Sequence, residues 1–74
     1  MDTPTYSPAN GHNLAEQRRA AGVTQDDIAK RIGTTRQALT RWEQSDRLPY
    51  IKARRYVMAL HAIVEEETRP AGAA

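Results

Sequence analysis

Arg36, Gln37, Thr40 and Arg41 are spaced so that, on a helix, they share one side. An arginine fork can bond guanine through O6 and N7, and a glutamine amide can bond adenine through N6 and N7. An outward Arg-Gln…Arg set is therefore suited to base edges in the major groove of duplex DNA. The same residues also make an ordinary solvated face, and their types alone do not separate the two. No grouping suited to catalysis accompanies them. The chain has no cysteine, no glycine-rich phosphate loop, no carboxylate pair with an acid–base partner and no Ser/His/Asp set. His12 and His61 lie far apart without further ligands, so no metal, cofactor or small-molecule substrate is expected, and no enzymatic activity.

Charge narrows the partner further. Residues 12–64 carry ten Lys/Arg and five Asp/Glu, a net +5. Glu65, Glu66, Glu67 and Arg69 add −2 and Asp2 adds −1, which gives the +2 of the whole chain. A basic body between acidic ends fits a polyanion, although an ordinary charged surface would look the same. No apolar run reaches the ~18 residues of a membrane span, and the start lacks a basic-then-apolar leader. A soluble, cytoplasmic protein without membrane partners is expected. With 74 residues and no disulfide, the core must come from close helix packing, helped if the chain dimerises.

The elements that position the polar set can be read from caps and periodicity. Residues 1–12, with Pro4 and Pro8, read as a disordered arm, and it lacks the Arg or Lys of arms that enter a minor groove. The first helix is expected over 13–21, with Asn13 and Glu16 as a capping box, unless Asn10 starts it a turn earlier. Gly22 ends it in a left-handed conformation and Val23 drops inward. The second helix is expected over 25–32, capped by Thr24, with Asp26 and Asp27 at the positive end of its dipole. Ile28, Ala29 and Ile32 form its buried stripe, and Gly33 stops it. The third helix is expected over 36–44, capped by Thr34 or Thr35, with Leu39 and Trp42 inward. After a polar loop over 45–49, a fourth helix is expected over 50–67. Tyr50, Ala53, Val57, Leu60 and Val64 trace its apolar face, widened by Ile63. Residues 68–74 read as a disordered tail, and no strand is expected.

Residues 24–43, TQDDIAKRIGTTRQALTRWE, thus hold two short helices joined by a glycine-led turn. Ala29 is small where the helices touch, Gly33 permits the turn, and Ile28, Ile32, Leu39 and Trp42 anchor both. This arrangement resembles the helix-turn-helix of lambdoid phage repressors and Cro proteins, the XRE family. The likeness spans about 14–49. It rests on Arg18, Gly22-Val23-Thr24-Gln25, Ile28-Ala29, Gly33, Leu39, Trp42-Glu43 and Pro49, all at the family's spacing. It implies a compact all-α bundle of four or five helices of the phage-repressor DNA-binding type, with the helix-turn-helix at 24–43 inside a domain over 13–67. It also implies that the third helix is the recognition helix, with Arg36, Gln37 and Arg41 at base edges. Ala38 would touch a thymine methyl group or serve as packing. Thr24, Gln25, Thr35, Thr40 and Arg47 would meet phosphates, Gln25 aided by the helix dipole. Arg18 and Glu43 would form an internal ion pair.

Two departures stand out. Where the family commonly has Glu-Asn-Gly, this chain has Glu43-Gln44-Ser45, and serine is a poorer left-handed cap than glycine. Arg54 and Arg55 fall where leucines are usual, and they are either phosphate contacts or solvated residues. The long fourth helix could complete the core and also offer Tyr56, Met58, Ile63 and Val64 to a second copy. The expected function is a sequence-specific regulator of transcription, most simply a repressor that binds an inverted-repeat operator on double-stranded DNA as a homodimer. The alternative is a protein-binding module on the same fold, such as an antitoxin or a polymerase partner, acting through the last helix.

Overall fold

The structure is a computed structural model that describes residues 9–68. Four helices follow one another: α1 (Gly11–Ala20), α2 (Gln25–Ile32), α3 (Arg36–Gln44) and α4 (Tyr50–Thr68). They form an all-α four-helix bundle. Residues 1–8 of the arm expected over 1–12 and residues 69–74 of the tail expected over 68–74 lie outside the described residues, Thr68 is the last residue of α4, and none of the described helices is long and apolar enough to cross a membrane.

Of the two starts the sequence offers for α1, the structure has the earlier, Asn10, and not Asn13. Asn10 is the cap, its side chain accepting from the His12 backbone N–H at 2.8 Å. The reason is tertiary. Ala9 and Leu48 exchange backbone hydrogen bonds of 3.0 and 2.7 Å, and the Gly11 N–H donates to the Ser45 carbonyl at 2.8 Å. These bonds tie residues 9–11 to the loop after α3, so residues 9–12, expected as part of the arm, belong to the folded body. Gly11 is required for the close approach: a Cβ there would stand 1.9 Å from the Trp42 carbonyl oxygen. At its other end α1 stops at Ala20, one residue short of the expected end, and Gly22 follows with φ +75°.

α2 and α3 have the bounds their sequence signals indicate. Thr24 and Asp27 form a reciprocal capping box: the Thr24 hydroxyl accepts from the Asp27 N–H and the Asp27 carboxylate accepts from the Thr24 N–H. Gly33 closes α2 at φ +89°, a left-handed conformation that a Cβ disfavours. Thr35, not Thr34, caps α3 by accepting from the Ala38 N–H. Ile28 of α2 and Leu39 of α3 are fully buried. Each such side chain contributes ~1.5–3 kcal/mol by leaving water, and together they lock the angle between the two helices. Trp42 is only half-buried, with the Lys52 ammonium 5.6 Å from its ring centroid.

The Gly-to-Ser departure after α3 has a simple resolution. Ser45 has φ −85° and ψ 128°, an extended conformation open to any residue. The chain leaves α3 without a left-handed turn, and the Ser45 carbonyl receives the Gly11 N–H. The loop is less polar than expected, because Leu48 is buried within the core.

α4 is turned relative to its expected apolar face. Its buried residues are Ala53, Tyr56, Ala59, Leu60 and Ile63, with Val57 and Val64 half-buried against them. Tyr50 is exposed instead. Tyr56, expected as leftover surface for a second copy, has 0% exposure. Ile63 is likewise in the core, while Met58 stays on the outside. The reason lies in α3, where a buried carboxylate takes the Tyr56 hydroxyl.

Candidate nucleic-acid interface

α3 has two different sides because its anchors repeat at helical spacing. Leu39 and Glu43 are buried, while Arg36, Gln37 and Arg41 are exposed. Thr40, half-buried between them, donates its hydroxyl proton to the Arg36 carbonyl at 2.9 Å. Arg36 lies 4.0 Å from Asp26, with both side chains mostly in solvent. A pair that loose and exposed holds neither side chain firmly, so the guanidinium remains available to an anion. Arg47, on the loop after α3, is exposed.

Beneath this face lies a buried polar hub that joins all four helices. Glu43 of α3 accepts from Arg18 Nε of α1 at 2.8 Å and from Arg18 Nη2 at 3.3 Å. It also accepts from Gln25 Nε2 of α2 at 2.8 Å and from the Tyr56 hydroxyl of α4 at 2.5 Å. Arg18 donates once more, to the Val23 carbonyl at 3.0 Å. The two carboxylate oxygens thus receive four hydrogen bonds, which matches their ≈ four lone-pair sites. Burial works against the Glu43 charge, but the bonds from Arg18, Tyr56 and Gln25 outweigh it and hold the carboxyl below its usual range. The hydrogen bond to Glu43 raises Arg18 against the opposing effect of burial. Burial first, then the Glu43 carboxylate, pushes the Tyr56 hydroxyl well up. The hub is therefore a fully charged, fully bonded ion pair at neutral pH, and it fixes the end of α3 against the body.

Gln25 is not simply the free phosphate ligand that its position suggests. Its side chain is half-buried and one amide N–H is committed to Glu43. The amide keeps a second N–H, and the α2 N-terminus lies beside it. Thr24 and Thr35 are both engaged as caps. Arg19, which sequence reading did not single out, lines an open hollow with Thr24, Gln25 and Arg36. Four polar or basic residues from three helices thus surround one concavity next to α3. Arg54 and Arg55 lie apart from it, exposed along α4.

Tyr56 was missed as a polar partner because its spacing reads as one more apolar position. The clue in the sequence is the acid itself. A buried carboxylate needs more donors than one arginine supplies, and Tyr56 is the one hydroxyl-bearing aromatic in the middle of α4.

The helix-turn-helix family profile matches residues 14–53, from α1 into the first turn of α4, which is 40 of 74 residues. No curated protein and no solved structure matches the chain. The matched span contains the capped α2, the left-handed turn at Gly33, the two-sided α3 and three of the four residues of the hub. The chain belongs to the helix-turn-helix family, within the XRE/Cro-like superfamily of DNA-binding regulatory domains.

Proposed function

We propose that this domain is a sequence-specific regulator of transcription, a repressor that binds an inverted-repeat operator on double-stranded DNA as a homodimer in the cytoplasm. α3 lies in the major groove, and Arg36, Gln37 and Arg41 read base edges. Thr24, Thr35, Thr40 and Arg47 meet backbone phosphates, as does Gln25 through the amide N–H that Glu43 leaves over. Two copies on half-sites about one helical turn apart exclude polymerase from the promoter. The observation that carries the reading is the division of α3 into a side anchored by Leu39 and Glu43 and a side where Arg36, Gln37 and Arg41 are solvent-facing. Base reading needs such an arrangement, with exposed side chains on a backbone that does not move.

Selection of binding sites from a random duplex library at near-physiological salt tests this. Enrichment of an inverted repeat, bound at least ~10³-fold more tightly than a scrambled duplex, is expected. Only weak, steeply salt-dependent binding without enrichment would sink it and favour a protein partner instead.

A further inference from the structure

The outer side of α4 carries its charges in an order that complements a second copy of itself; the inference drawn from it rests on the dimeric reading above. Ile51 and Met58 are 65% and 59% exposed. They stand seven residues apart, two turns along one line, and half-buried Ala62 continues that line. Arg54 and Glu65 flank it on one edge, and Arg55 and Glu66 on the other. Each of these pairs is eleven residues apart, close to three turns at 3.6 residues per turn. Both edges therefore run from cation to anion along the helix.

We propose that the α4 helices of two copies pack antiparallel about a two-fold axis level with residue 60. In an antiparallel pair related by a two-fold axis, each edge meets the same edge of the other copy. Arg54 then faces Glu65 of the second copy, Arg55 faces its Glu66, and Met58 crosses its Ala62, all about the same axis. A parallel pair would bring opposite edges together, with Arg54 against Arg55 of the second copy and Glu65 against its Glu66. Ala59 and Ala62 border a groove between α2 and α4, into which an unbranched methionine side chain from the second copy can fold. Glu66 already accepts from Arg31 of its own chain, yet its side chain remains 54% exposed. A second guanidinium can therefore share the carboxylate.

The test is sedimentation equilibrium of the full chain and charge-swapped variants, each checked for an unchanged helical circular-dichroism spectrum. Arg54→Glu/Arg55→Glu leaves the Arg31–Glu66 pair intact and sets like charges against each other. It should raise the dimer dissociation constant by ~100-fold. Adding Glu65→Arg/Glu66→Arg to the same chain, with Arg31→Glu so that the pair within the chain is kept in reversed form, should restore the dimer to within ~10-fold of wild type, a rescue that a parallel or different interface does not give. If the first variant dimerises as well as wild type, or if the full swap fails to rescue, the interface is wrong. The library selection then judges the dimeric reading separately. An inverted repeat still enriched with this face altered leaves that reading standing and only the interface rejected. A wild-type chain that is monomeric and selects a lone half-site overturns both.

Discussion

Replacing Glu43 by glutamine keeps the side chain's shape and removes its charge. Four donor contacts converge on that carboxylate, from Arg18, Gln25 and Tyr56. An amide has one oxygen to accept them, and its NH₂ group points donors at donors. Arg18 would stay buried with only the Val23 carbonyl as a full partner. Breaking one side of a buried ion pair typically costs ~3–5 kcal/mol. A chain of 74 residues has roughly 4–11 kcal/mol of stability in all. Its unfolding entropy at roughly 2.1 cal/mol/K per residue is about 155 cal/mol/K, so Glu43→Gln should lower Tm by about 20–30 °C. Thermal melts followed by circular dichroism at pH 7 give the number directly. The pH dependence sharpens the test. The folded Glu43 has a lowered pKa, so its contribution is complete above the unfolded value of about 4.3 and is lost as pH falls through the folded one. The gap between wild type and Glu43→Gln should therefore narrow in acid below about pH 4. A loss of less than about 5 °C at pH 7, or a gap that does not change on acidification, would refute the hub as the element that holds α3.

Other expectations follow from single contacts. Tyr56→Phe removes one hydrogen bond to a charged acceptor and should cost ~1.5–3 kcal/mol, about 10–20 °C in Tm. Because the folded Tyr56 hydroxyl has a raised pKa, its contribution holds below about pH 10 and fades as pH rises beyond it. The penalty of Tyr56→Phe should therefore shrink in base, read from melts of both proteins across alkaline pH. Gly11→Ala forces α1 away from the Trp42 carbonyl and should destabilise by at least ~2 kcal/mol in a urea titration. The exposed Arg36→Ala should leave Tm within a few degrees while weakening binding to the selected operator by ~1–3 kcal/mol.

The parts of the fold that sequence made legible are those with local causes. Thr24, Gly33 and Thr35 mark helix ends through hydrogen bonds or backbone conformations spanning four residues or fewer, and α2 and α3 fall where these marks put them. The outward side of α3 is equally local, since helical spacing separates Arg36, Gln37 and Arg41 from Leu39. What stayed hidden depends on residues far apart in the chain. The choice of Asn10 over Asn13 as the start of α1 is set by bonds from Ala9 and Gly11 to Leu48 and Ser45, more than thirty residues away. The rotation of α4 is set by one hydroxyl reaching Glu43, so apolar counting placed Tyr56 on the wrong side. Gln25 is committed to the hub through Glu43, a demand that only the packed structure reveals. The self-complementary edges of α4 were in the charge order throughout, but which residues face outward had to be known before the order had meaning.

The proposed role of α3 is that its exposed side reads bases. It is tested most directly by measuring wild type and Arg41→Ala against the selected operator and every single-base-pair variant of it. Wild type should lose ~1–3 kcal/mol at each specified position, and Arg41→Ala should lose discrimination at one position in each half-site while keeping it elsewhere. A uniform loss of affinity across all duplexes would make Arg41 a phosphate contact, and an unchanged profile would remove this face of α3 from recognition altogether.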